Sequence, residues 1–344
     1  MTDAPVTTDV AIIGAGPVGL FAIFECGMLD MRCHVIDALD APGGQCAALY
    51  PEKPIYDIPG FPRILASDLV ERLQEQAAPF APVYHLGQQV IRLQRRTEGG
   101  WLLETSAGTA ITTAAIIIAA GVGAFGPNRP PLAGIRDYEG LAAGSGVQYL
   151  VRRREDYRGR QVVIAGGGDS AVDWALSLAD VAASLAVVHR RDKFRAAPQS
   201  VQQLRALAQA GRIELVVPYQ LHAIEGDGTG LKGVIVRDLD GGERRLTADV
   251  LLPFYGLTQD LGPIAEWGLN LERNHIAVDP VTFSAGPDGI FAAGDIATYP
   301  GKLKLILTGF AEAATAAHAA YAIVHPGKAL HFEYSTTRGV PLSA

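Results

Sequence analysis

The chain has 344 residues, 49% of them hydrophobic, with 39 glycines, three cysteines and a formal net charge of −7. That length and apolar content suit two or more domains with separate cores, and the acidic balance argues against a global field for nucleic acid or anionic membrane. No uninterrupted apolar run approaches the ~18 residues of a membrane span, and Met1-Thr-Asp-Ala-Pro lacks a signal-peptide pattern, so the expectation is a cytoplasmic globular protein with no resident metal.

The first predicted element is an apolar strand leading into Gly14-Ala-Gly16-Pro-Val18-Gly19, after which a helix runs to about Met28. In this arrangement the first glycine permits a tight strand-to-helix turn and the second lets backbone approach a pyrophosphate. The third packs helix on strand, and the helix N-terminus faces the phosphates. The next strand ends in Asp37, 18 residues beyond Gly19, where a carboxylate can accept both hydroxyls of an adenosine ribose. Residues 85–113 alternate in strand fashion with a hairpin at Gly99-Gly100, and 115–121 reads as a buried strand. Gly126-Pro-Asn-Arg-Pro130-Pro131 then breaks the chain.

A second fingerprint, Gly166-Gly-Gly168-Asp169-Ser170-Ala171, lies about 150 residues after the first and is again preceded by an apolar run. The strand that follows ends in His189-Arg190-Arg191-Asp192-Lys193-Phe194-Arg195. Where an NAD site would place an acid, this chain places guanidinium groups, whose forked donors suit a 2′-phosphate. The second ligand is therefore read as NADP. Residues 213–252 repeat the antiparallel pattern, and Pro287 follows Gly286 at a further break.

Gly289-Ile-Phe-Ala-Ala-Gly294-Asp295 then reads as a buried strand ending in Gly-Asp, with a helix from about Gly309 to Val324. In flavoproteins with two dinucleotide sites such a turn lies beneath the flavin, its Asp bonding the ribityl chain, so the first site is read as FAD. The fold class expected is α/β: two Rossmann-like three-layer domains with short antiparallel sheet appendages. The FAD domain (1–125 and 284–344) would be discontinuous, its C-terminal tail over the flavin, and the NADP domain (126–283) inserted. Cysteine narrows the chemistry, because passing electrons to disulfides needs two neighbouring thiols and the chain has only Cys26, Cys33 and Cys46. Five residues past Cys46 stands Pro51, and 146–154, just ahead of the second fingerprint, holds no Cys.

Taken together, these motifs resemble the ferredoxin–NADP reductases of the thioredoxin-reductase-like type. The likeness includes Gly43-Gly44-Gln45, the run Ala48 to Pro62 around Tyr50, Gly166 to Ala175, His189 to Ala196, Gly301-Lys302-Leu-Lys304-Leu-Ile306, and the tail Tyr334-Ser335-Thr336-Thr337. The resemblance implies FAD contacts at Gly14, Gly16, Val18, Gly19, Asp37, Gln45, Tyr50, Val90, Phe125, Asp295 and Thr336. It implies NADP contacts at Gly166, Gly168, Asp169, Ser170, Ala171, His189, Arg190, Arg191 and Arg195, with Tyr50 stacked on the isoalloxazine. Many members carry His in the tail where this chain has Tyr334, which would cover the second flavin face with a phenol. No residue is expected to act as acid or base. Hydride exchange between NADPH and FAD would feed one-electron transfer with ferredoxin, in a homodimer. Flavodoxin, rubredoxin or a small oxidant in place of ferredoxin, and a non-catalytic redox sensor, stand as alternatives. Basic clusters Arg92/Arg95/Arg96 and Arg152 to Arg160 are the candidate docking faces.

Overall fold

A computed structural model describes residues 4–330 and 335–340 of the chain, in two compact units, 1–125 with 259–344, and 126–258. In the first unit a seven-stranded sheet runs Val83–His85, Cys33–Ile36, Val6–Ile13, Ala110–Ile118, Trp101–Thr105, Val90–Arg95, with Ile290–Ala292 also paired to Ala110–Ile118. Val6–Ile13 is parallel to both neighbours, pairing Ile13 with Ile36 on one side and with Ile118 on the other. The long strand 110–118 divides its second edge. Thr113 pairs antiparallel with Trp101, while Ile116–Ile118 pair in parallel with Ile290–Ala292. Ile116, Ile117 and Ile118 are all fully buried, as a sheet covered on both faces requires.

Helix α1 (Pro17–Met28) follows the first strand, then the short α2 (Gly44–Ala48) and α3 (Ala66–Ala77). The second unit is built on five parallel strands, ordered Gly146–Val147, Val250–Pro253, Gln161–Ala165, Ser184–Val188, Glu214–Val216, with α4 (Asp169–Leu178) and α5 (Pro198–Gln209). Back in the first unit comes α6 (Ile306–Val324), and α7 (Ser335–Arg338) lies in the tail. On α6, Ala313, Ala316, Ala317 and Ala320 are wholly buried at helical spacing. Their small side chains let the helix pack closely, and α1 is its main helical neighbour.

Two expectations need correction. The inserted unit ends at Thr258 and not at 283. Leu261, Ile264, Leu269, Ile276, Val278 and Phe283 belong to the core of the first unit, and His275–Ala277 pairs with Ala297–Thr298 there. Hydrophobic burial and a ladder both pull 259–283 to that side, which outweighs the Gly-Pro break at 286–287. The antiparallel stretch within 85–113 is also no appendage, because Val90–Arg95 and Trp101–Thr105 extend the main sheet. The second unit does carry a separate antiparallel sheet of Gln220–Gly226, Leu231–Arg237 and Glu243–Thr247. Among the described residues no helix is long and apolar enough to cross a membrane.

Candidate cofactor sites

The three glycines of the first fingerprint meet three different surroundings. Gly14 has φ +108°, and a Cβ there would lie 2.4 Å from the Ala119 carbonyl oxygen. A Cβ at Gly19 would lie 1.9 Å from the carbonyl oxygen of Gly14. At Gly16 the nearest neighbour is Gly44 Cα at 3.9 Å, so its open side is clear. The turn is thus closed where chain packs on chain and open at the one glycine a phosphate must approach. Helix α1 begins there with no side-chain cap, leaving its first N–H groups for an external acceptor. These residues fit a dinucleotide.

Asp37 lies at the end of the second strand, half-buried, tied to this turn. Its Oδ2 accepts Ala15 N–H at 2.6 Å and its Oδ1 accepts Leu39 N–H at 2.8 Å. Burial raises its carboxyl above the usual range, and those two N–H donors oppose the rise. Each oxygen keeps a lone pair for a hydroxyl. Gly43 N–H bonds Ala15 O at 2.8 Å, which brings α2 against the same turn, and Gln45 lies near Gly121.

Tyr50 follows α2. Burial first, then the neighbouring Cys46 thiol and the Asp295 charge, hold its phenol well above the usual range. Burial pushes the Cys46 thiol up to about 11, against the lowering effect of the Tyr50 hydroxyl, so it is protonated at neutral pH. Lys53 Nζ lies 5.9 Å from the Tyr50 ring centroid. Asp295 is half-buried in the short turn Gly294–Ile296 that ends the strand 290–292.

Of the remaining first-unit residues, Val18 is a packing group, its side chain lying where a Cβ on Gly294 or Gly309 would go. Val90 is 3% exposed and belongs to the core. Thr336 is exposed on α7. The Phe125 side chain and Tyr334 lie outside the described residues.

The second fingerprint repeats the pattern. Gly166 has φ +151°, and a Cβ there would meet Phe254 O at 2.8 Å and Ala171 Cβ at 3.0 Å, so Ala171 is the close-packed third position. Gly168 has nothing within 4 Å, and α4 starts from it without a side-chain cap. His189 packs under the middle of the turn, where a Cβ on Gly167 would lie 2.3 Å from its ring. The basic loop is strapped to the turn by Arg195 N–H to Gly167 O at 2.6 Å and Ala197 N–H to Asp169 Oδ1 at 3.0 Å. Asp169 therefore holds the loop, and Ser170 is exposed beside it.

Arg190, Arg191 and Arg195 are exposed, and no carboxylate among the described residues pairs with them. Burial lowers the His189 pKa, against a raising backbone hydrogen bond at Lys193, and the charges of those three arginines lower it further. Three cations without counter-ions beside an open glycine turn fit a dianionic phosphate.

The cysteines are all free and buried. Cys33 Sγ donates to Met31 O at 3.7 Å, and the neighbouring Cys33 thiol together with burial pushes the Cys26 thiol far up. Cys26 and Cys33 are 0% and 4% exposed, sealed from any substrate. Six arginines of the two basic clusters stand in ion pairs. Arg92, Arg95 and Arg96 pair with Glu104, Asp288 and Glu98, and Arg153, Arg154 and Arg158 pair with Asp156, Asp180 and Glu155.

Sequence reading missed Glu312. It is 1% exposed on α6, accepting from Gly294 N–H at 2.7 Å, from Tyr299 Oη at 2.7 Å and from Lys302 Nζ. The signal was present as one carboxylate in an otherwise uncharged helix of 19 residues, a position that must find partners if buried.

Residues 8–320 match the family model of pyridine nucleotide-disulphide oxidoreductases. The chain is 66% identical to a ferredoxin–NADP reductase of Paramagnetospirillum magneticum, over 97% of this chain and 98% of that one. It is 61% identical to a ferredoxin–NADP reductase of Rhodospirillum rubrum, over 98% and 97% of the two chains. Among solved structures, thioredoxin reductase of Lactococcus lactis superposes with a TM-score of 0.78 at 25% identity, covering 92% of this chain and 99% of that one.

Proposed function

The chain belongs to the pyridine nucleotide-disulphide oxidoreductase family, and from that premise we infer that it is a flavoprotein ferredoxin–NADP reductase that binds FAD and NADP(H). The observation that carries the reading is the pair of fingerprint turns, each closed by packing at its first and third positions and open at its second. Bound FAD would supply hydride exchange with the nicotinamide and single-electron transfer with an iron–sulfur protein.

What this chain supplies is position and charge. In the first unit, Gly14, Gly16, Gly19 and the start of α1 would receive the FAD pyrophosphate and Asp37 the adenosine ribose. Gln45, Tyr50, Val90, Phe125, Asp295 and Thr336 would surround the remainder, with Tyr50 and Tyr334 against the two flavin faces. In the second unit, Gly166, Gly168 and the start of α4 would receive the NADP pyrophosphate, and Arg190, Arg191 and Arg195 the 2′-phosphate. No step requires a proton to pass through a side chain. The thiols take no part, because Cys26 and Cys33 are sealed and Cys46 stays protonated.

Ferredoxin is the proposed partner, with flavodoxin as the second acidic candidate, and a cytoplasmic homodimer the proposed state. Steady-state NADPH oxidation with purified ferredoxin, flavodoxin, rubredoxin and thioredoxin tests the assignment. Ferredoxin should give the highest kcat/KM; faster turnover with thioredoxin would overturn it.

A further inference from the structure

Around Gly294 three elements converge. Val18 in the first turn of α1 lies 3.2 Å from where a Gly294 Cβ would stand, and 2.4 Å from where a Gly309 Cβ would stand on α6. That Gly309 position is also 3.3 Å from Gly294 Cα, so the start of α6 touches the Gly-Asp turn through two glycines. One turn further along α6, Glu312 completes the contact by accepting the Gly294 N–H through Oε2 at 2.7 Å. Its Oε1 takes the Tyr299 hydroxyl at 2.7 Å and the ammonium of Lys302, whose side chain is 6% exposed and whose Nζ lies 5.5 Å from the Tyr299 ring centroid. A buried ion pair of this kind is expensive relative to apolar side chains of the same shape. Tyr299 and Lys302 lie on the segment linking the Gly-Asp turn to α6, so Glu312 ties the turn, the link and the helix together.

Resting on the reading of Gly294–Asp295 as the flavin turn, we propose that Glu312, Lys302 and Tyr299 form a positioning clamp that fixes this turn for FAD and balances charge beside the flavin. Glu312 sets the geometry by holding the backbone next to Asp295. Lys302 neutralises it, bonded to the same carboxylate that accepts the N–H of Gly294, the residue before Asp295. Reduction adds negative charge to bound flavin, so an uncompensated cation here favours the reduced cofactor and an uncompensated anion the oxidised one.

The test uses the whole chain, with FAD affinity from titration of apoprotein, midpoint potential from dye equilibration, and thermal melting as the folding control. Glu312→Gln keeps an oxygen for Gly294 N–H and leaves Lys302 unpaired. It should raise the potential, while Lys302→Met should lower it, each by a decade in the relative affinity for the two redox forms, about 30 mV for two electrons. Lys302→Met, which leaves the Glu312 anion unpaired beside the turn, should weaken FAD at least tenfold, Glu312→Gln should weaken it less because the acceptor for Gly294 N–H is kept, and Lys302→Arg should restore the wild-type potential. Shifts of one sign in both variants, or a wild-type potential in Lys302→Met whatever Glu312→Gln does, overturn the clamp. Asp295→Asn separates the two layers: if it leaves FAD affinity and potential unchanged, the flavin-turn reading itself falls, and if it weakens FAD while the clamp variants do not, only the clamp falls.

Discussion

Gly19 has no room for a side chain because of Gly14, whose carbonyl oxygen would stand 1.9 Å from a Cβ on Gly19. Five residues apart, the two glycines form the packed floor of the turn, and Gly16 between them is its open lip.

That contrast predicts a split among glycine variants. Gly14→Ala and Gly19→Ala should destabilise the fold, by about 1–3 kcal/mol for the overpacking or more where backbone must move. Gly16→Ala should keep the melting temperature of the apoprotein and lose FAD. Gly168→Ala, also in open space, should keep FAD and raise the KM for NADPH. Equal FAD retention in Gly16→Ala and wild type would remove the phosphate from that turn.

The unpaired arginines predict coenzyme preference. Arg190→Ala with Arg191→Ala should raise the KM for NADPH at least about tenfold, from charge-assisted contacts of about 1.5–3 kcal/mol each, and leave NADH nearly unchanged. Parallel losses for both coenzymes would place the 2′-phosphate elsewhere.

The sealed thiols predict indifference to their removal. Cys26→Ala with Cys33→Ala should retain NADPH-to-ferredoxin turnover, with at most a lower melting temperature. Loss of turnover with FAD still bound would show that the pair carries electrons.

A pH dependence follows from His34 and His85, whose ring nitrogens stand 3.0 Å apart on adjacent strands. Burial lowers both pKa values below 6.5, and the His85 and Arg32 charges add to the effect on His34. The folded protein then binds fewer protons than the unfolded chain just below pH 6.5. Stability from this pair is complete above that value and falls as pH drops through the depressed folded values. Urea melts at pH 7.5 and pH 5.5 should show the loss in wild type and a smaller one in His34→Asn. An equal loss in the variant would assign the acid sensitivity to other groups.

The fold was legible where chemistry constrains each residue. Both fingerprints, the acid at Asp37 and the cations at 190–195 announce themselves because turn, ribose and phosphate demand particular side chains at fixed offsets. The limit of the insertion was not, since Gly286-Pro287 is a strong local break while the pull on Leu261, Ile276 and Phe283 comes from a core distant in sequence. The pairing of the basic clusters was not legible for a similar reason. Arg95 finds Asp288 and Arg154 finds Asp180 across the fold, pairings that no local window contains.

The inserted unit has neighbouring ends. Asn128 N–H bonds Gly256 O at 3.0 Å inside it, and Gly123 bridges Asp260 on the other side of the boundary. The gap it spans in the host unit is therefore already bridged by backbone pairing, whatever the insert's length. Segment 126–258 is in effect a cassette: a homologous segment with an acid in place of Arg190 and Arg191 could be spliced between Phe125 and Gln259. Coenzyme preference would then be inherited as a block, leaving the host unit's sheet and core unaltered.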